Sequence, residues 1–363
     1  MPRGSSTVSE AAVRAAQPIV IAHRGASGSI PEHTLAAYFL AIEQGADYIE
    51  PDLVATRDGI LVARHENEIG GTTDVALHPE FAGRRVRKRI DGTALTGWFT
   101  EDFTLAELKT LRARERIPEL RPANARFDGQ FEVPTFAEIL TLAQALDAER
   151  AAAARARGLA PPAPIGVYPE TKHPSYFDGL GLALEAPLLA CLQEHGYARQ
   201  DAPVFIQSFE VGNLQALRNA TELPIVQLIE LEGSPYDLSA SGDPRTYRAL
   251  ITPEGLASIA RYADAIGVAK LLVIPRGEDG SLARATSLVR DAHAAGLAVH
   301  AWTFRAENHF LPPPLRSGED PAQLGDVEAE VQAYLRAGID GLFIDQPVLG
   351  VRARAAYLAQ PRG

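Results

Sequence analysis

The chain has 363 residues, long for one compact domain but ordinary for an α/β barrel that carries an insertion. Hydrophobic residues make up 46% and charged residues 22%, the balance of a globular fold with a sizeable core rather than a disordered or membrane chain. A formal charge of −11 repels polyanions and argues against nucleic acid as a partner.

Residues 1–17 read as an N-terminal tail, without the basic-then-apolar pattern of a signal peptide. From residue 18 onward, apolar strand-like runs recur at 19–23, 48–54, 166–172, 204–209, 225–229, 263–267, 297–304 and 341–345. Helical spacing follows each run, as in Leu35, Tyr38, Phe39 and Ile42 before Gly45. Eight such alternations predict an α/β fold of the (β/α)8 TIM-barrel type over residues 18–350, with 351–363 as a C-terminal tail.

Two segments break the rhythm. Residues 70–133, rich in Gly, Arg, Asp and Pro, separate the second strand from a helix starting near Thr135 and read as an insertion over the top of the barrel. Within them the basic run 84–89 is expected to be a solvated loop face. Residues 311–326, with Pro312, Pro313 and Pro314, form a loop after the seventh strand. The one cysteine, Cys191, permits no internal disulfide, and no stretch approaches the roughly 20 apolar residues of a membrane span.

Barrel enzymes keep their active sites at the C-terminal ends of the strands, and polar residues collect there. The first strand ends in His23-Arg24-Gly25, with Ile21 and His23 on one face. The second carries Glu50-Pro51-Asp52, whose i, i+2 spacing sets two carboxylates side by side; a bound cation is the simplest relief of their repulsion. The third adds Glu170 and Lys172 on one face, a further carboxylate and a point charge suited to phosphate. Three oxygen ligands, Glu50, Asp52 and Glu170, favour one divalent hard cation, Ca2+ or Mg2+, over zinc. His65 follows the apolar run 60–63, and two histidines beside a metal and a phosphate suit general acid and base roles. His33 is expected at a helix start over the site, and Asp345 is expected to hold neighbouring loops.

These blocks resemble the signature of glycerophosphodiester phosphodiesterases: His23-Arg24-Gly25-Ala26-Ser27-Gly28 with Pro31-Glu32-His33-Thr34, then Glu50-Pro51-Asp52, then Thr56-Arg57-Asp58-Gly59 and His65. The likeness continues through Tyr168-Pro169-Glu170-Thr171-Lys172, Gln207-Ser208-Phe209 and Ala301-Trp302-Thr303-Phe304. It implies His23 and His65 as the acid–base pair, Arg24 and Lys172 on the phosphate, and Glu50, Asp52 and Glu170 as metal ligands. It also implies that Phe209 and Trp302 flank the glycerol or alcohol group. The implied reaction converts a small phosphodiester such as glycerophosphocholine into glycerol 3-phosphate and an alcohol, with His23 as base, His65 as acid, and water or the substrate's own 2-hydroxyl as nucleophile. The long insertion is similar to the often extracytoplasmic branch of that family, so a periplasmic or secreted location follows if a signal was removed, a cytoplasmic one otherwise. Two rivals are a sphingomyelinase-like phospholipase D and a phosphodiester-binding protein without catalysis.

Overall fold

A computed structural model describes residues 17–199 and 201–360. The expected tail at 1–17 therefore lies outside the described residues except for its last position.

The first parallel strand, β1 (Ile19–His23), lies between β13 (Gly341–Ile344) and β2 (Tyr48–Glu50), and β2 pairs in turn with β7 (Gly166–Val167). Beyond Pro51 the second run resumes as β3 (Asp52–Ala55), which pairs with β8 (Glu170–Thr171). Both interruptions have the same cause: Pro51 and Pro169 offer no N–H to a ladder, so each long run expected from the sequence is split in two. From β8 the order continues through β9 (Ile206–Ser208), β10 (Ile225–Ile229), β11 (Ala265–Ala269) and β12 (Ala298–Phe304) to β13. The result is a mixed α/β fold with a curled, barrel-like sheet. A short antiparallel strand, β4 (Leu61–Ala63), lies beside β3.

Helices separate the parallel strands. The helix Leu35–Glu43 starts at Thr34, whose hydroxyl accepts from the Ala37 N–H, and the chain turns at Gly45 with φ of 86°. The long helix Phe136–Ala156 opens on a reciprocal capping box between Thr135 and Glu138. Inside the sheet, Ile21, Tyr168, Val226, Ala265 and Phe343 pack together as an apolar plug below the strand ends.

Three expectations need correction. The helix Pro347–Leu358 runs through residues assigned to a tail: Ala353 is fully buried, and Arg354 donates to the Pro18 carbonyl and pairs with Asp47. Its Arg-Ala repeats carry too little apolar contrast to show a buried stripe in sequence. The strand expected at 263–267 is Ala265–Ala269, because Asp264 turns back to accept from the Ile225 N–H. The basic run 84–89 is solvated as expected, but from Val86 on it is strand, not loop: β5 (Val86–Ile90) pairs with β6 (Thr93–Gly97) in a hairpin turned by Asp91 and Gly92 at φ of 44° and 81°. The rest of 70–133 is short helical turns and irregular chain.

Candidate active site

The polar residues meet where β1 and β2 end and β3 and β8 begin. A left-handed backbone at Arg24 (φ 60°) and Gly25 (φ 87°) turns the chain off β1, and a Cβ at Gly25 would meet the Ala37 backbone at 2.7 Å. That turn aims the Arg24 amide at Glu50, to which it donates at 2.8 Å. The Arg24 guanidinium donates to Glu32 at 3.0 Å and lies 3.4 Å from Asp52.

Glu50, Asp52 and Glu170 are all buried, with ligand oxygens within 4.8 Å of one another. Lys172 sits 2.8 Å from Glu170 and 3.9 Å from Asp52. Burial, with the repulsion of Asp52 and Glu170, pushes Glu50 well above the usual carboxylate range. Burial and Asp52 likewise raise Glu170 to about 8 against the pull of Lys172. Asp52 goes the other way: Lys172, His65 and a hydrogen bond from His33 outweigh burial and hold it well below its ordinary value. A buried all-oxygen cluster with excess negative charge fits one hard divalent cation.

His33 is fully buried, not merely laid over the site. Its Nε2–H donates to Asp52 at 2.9 Å, and its Nδ1 lies 2.7 Å from the Tyr38 hydroxyl. Gln207 donates to Glu50 at 3.1 Å. Neither partnership was visible in the sequence, since only the fold brings residues of separate elements onto these two carboxylates.

The two histidines flank the cluster and are held alike. His23 Nδ1–H donates to Asp345 at 2.7 Å, and His65 Nδ1–H donates to Glu66 at 2.5 Å. An ionised carboxylate only accepts, so each ring keeps its proton on Nδ1 and leaves the Nε2 lone pair free. Burial, reinforced by Arg24, lowers His23 to about 4. Partial burial, with Arg24 and Lys172, lowers His65 to about 3. Both are neutral at pH 7. Asp345, expected to hold loops, thus orients His23, while Arg121 and Arg305 override burial and keep it ionised.

Phe209 and Trp302 form an apolar wall at the same rim, edge to face at 5.9 Å, with the Lys172 ammonium 5.7 Å from the Phe209 ring centre. The buried Trp302 Nε1–H has no hydrogen-bond partner among the described residues. Every site residue expected from sequence therefore lies on one face of the sheet or its rim.

The sequence profile of the glycerophosphoryl diester phosphodiesterase family matches residues 23–349. The chain belongs to that family. A glycerophosphodiester phosphodiesterase of Arabidopsis thaliana is 34% identical over 358 residues, 95% of this chain and 88% of its own. One from Haemophilus influenzae is 28% identical over 357 residues, covering 92% and 88%. Among solved structures, a phosphodiesterase from Oleispira antarctica in complex with the product sn-glycerol-3-phosphate shares the fold at a TM-score of 0.58 and 21% identity, covering 93% of this chain and 96% of its own. A solved structure from Silicibacter pomeroyi does so at 0.63 and 22%, covering 94% of each. None of the described helices is long and apolar enough to cross a membrane.

Proposed function

We propose that the protein hydrolyses glycerophosphodiesters, such as glycerophosphocholine or glycerophosphoethanolamine, to glycerol 3-phosphate and an alcohol. The sheet is read as a (β/α)8 barrel with 70–133 inserted after its second strand, since β2·β7 and β3·β8 join the two sides of the curl. The observation that carries the reading is the convergence of two neutral histidines, two cations and three buried carboxylates on one rim.

Arg24 and Lys172 bind the phosphodiester oxygens and offset the charge that grows there in the transition state. Glu50, Asp52 and Glu170 would hold one Ca2+ or Mg2+, which supplies further charge neutralisation at the phosphate. His23 takes the proton of the attacking oxygen on Nε2, with Asp345 stabilising the imidazolium that forms. His65 protonates the leaving alcohol. Bound phosphate offsets the charges of Arg24 and Lys172, two of the influences that depress His65 in the free protein, and so favours its protonated form. Phe209 and Trp302 receive the apolar face of the alcohol moiety.

The decisive assay is turnover of glycerophosphocholine and a panel of headgroup analogues by dialysed protein, with Ca2+ or Mg2+ added back and with excess chelator. We expect activity only with cation. Full activity in chelator removes the metal assignment, and no turnover of any glycerophosphodiester with either cation removes the function.

A further inference from the structure

Segment 70–133 reaches both histidines. Arg116 forks across two carboxylates, donating to Glu32 through Nε at 2.9 Å and Nη2 at 2.6 Å, and to Glu66 through Nη1 at 2.9 Å and Nη2 at 2.8 Å. Glu66 is the acceptor of the His65 ring, and Glu32 the acceptor of Arg24. Five residues on, the buried Arg121 donates to Asp345 at 2.5 Å, to Glu307 at 2.6 Å and to the Ser27 carbonyl at 3.0 Å. Asp345 is the acceptor of the His23 ring.

We propose that Arg116 and Arg121 are positioning residues for phosphodiester cleavage. Acting through Glu66 and Asp345, they fix the orientation and Nδ1–H tautomer of His65 and His23, so one stretch of this segment sets both proton-transfer groups. The inference rests on the acid–base reading of the two histidines. A lone carboxylate can follow a rotating imidazole; Glu66 cannot, because two Arg116 donors in a fixed fork set its plane, and Asp345 is held through Oδ2, which accepts from Arg121 and from Arg305 at 3.0 Å. Outer partners of this kind hold the inner group in the one geometry that reacts.

A role as mere glue between the segment and the sheet needs no such choice of acceptors. The neighbouring arginines stay within the segment: Arg112 lies 3.8 Å from Glu132 and Arg114 3.4 Å from Asp128. Arg116 and Arg121 instead reach the two carboxylates that carry the histidines. The stretch that carries them is itself braced at its two ends, since Asn124 donates to Ser27 and to Glu115, each at 3.0 Å.

The test is a pair of double-mutant cycles on the full chain, loaded with Ca2+ or Mg2+ and assayed on glycerophosphocholine, with thermal melts to normalise for folded protein. Arg116→Gln and Arg121→Gln should each lower kcat by about 10- to 100-fold, the range for outer partners of a reacting group. Arg116→Gln should also raise KM, because Glu32 loses its grip on Arg24. In His65→Ala and His23→Ala backgrounds respectively, the same substitutions should cost less than about three-fold more, because the group they act through is gone. Should Arg121→Gln not fold, Arg121→Lys keeps a cation at the buried site and enters the same cycle; an ammonium cannot span Glu307, the Ser27 carbonyl and Asp345 from one plane, so it too should lower kcat. Unchanged kcat in the folded arginine variants, or losses that multiply in full in the histidine backgrounds, overturns the positioning role. Wild-type turnover in His23→Ala and His65→Ala would instead sink the acid–base reading, and this proposal with it.

Discussion

Tyr168 and Glu170 are two residues apart in the chain, and both are buried, yet their surroundings differ completely. Tyr168 packs against Ile21, Val226, Ala265 and Phe343, and its hydroxyl shares a 2.7 Å hydrogen bond with Nδ1 of His300. One polar pair in an apolar plug satisfies itself, and the plug stabilises the fold. Glu170 instead faces Glu50 and Asp52, with Lys172 as its cationic partner, and its carboxyl is raised to about 8. The floor of the sheet is arranged to be stable alone, whereas the rim stores like-charge repulsion that a bound cation would relieve. Substitutions at the rim should therefore change activity more than stability, and those in the floor the reverse.

The sharpest way to break that contrast is at the histidines. General acid–base catalysis is worth about 10²- to 10⁴-fold, so His23→Ala and His65→Ala should each lose at least roughly a hundredfold in turnover while the protein stays folded. A substrate with an acidic leaving group such as nitrophenol needs little protonation, so His65→Ala should keep far more activity on it than on glycerophosphocholine; His23→Ala should be poor on both. Equal losses on both substrates in the His65 variant would remove its assignment as the acid, and unfolding of either variant would erase the distinction between rim and floor.

Rim and floor also differ in how openly the amino-acid sequence displays them. Rim residues on strands are legible because a period of two sorts faces: Ile21 against His23, Glu50 beside Asp52, Glu170 beside Lys172. The strands are legible for their apolar runs, and the prolines that split two of them stand in plain view. What stays hidden joins distant chain. Asp345 meets His23 across 322 positions and Arg121 across 224, and nothing local in either partner signals the other. Glu66 adjoins His65, but an adjacent acid becomes meaningful only when Arg116 closes on it from 50 residues away. The hairpin of β5 and β6 escapes sequence reading because Arg87, Lys88 and Arg89 put charge on both faces, which erases alternation.

A second test acts on the floor. Burial lowers His300 to about 4 from 6.5. Between those pH values the unfolded chain binds a proton that the folded chain refuses, so stability falls as pH drops through the window and is regained as pH rises toward 6.5. At about 1.4 kcal/mol for each pH unit, the loss is about 3 kcal/mol. His300→Gln should flatten the pH dependence of urea unfolding by about that amount, with turnover per folded molecule near wild type at neutral pH. An unchanged pH slope would show that burial does not depress His300 in the folded state.

The smallest expected effect is the most specific to the rim. In metal-free protein, Glu170 binds its proton more tightly than the unfolded chain does, so it removes stability as pH rises from 4.5 toward 8, the opposite direction to His300. Glu170→Gln keeps the shape and the amide oxygen that can accept from Lys172, and it deletes the charge that crowds Glu50 and Asp52. Because the repulsion is shared with Glu50, one substitution should recover only part of it, about 1 kcal/mol of metal-free stability at pH 7 to 8. The same variant should gain little when Ca2+ or Mg2+ is added, whereas the wild type should gain more with each increment of cation. Melting curves with and without cation measure both halves. If metal-free Glu170→Gln is less stable than wild type at pH 8, the Lys172 contact outweighs the repulsion, and the rim is no more costly to fold than the floor.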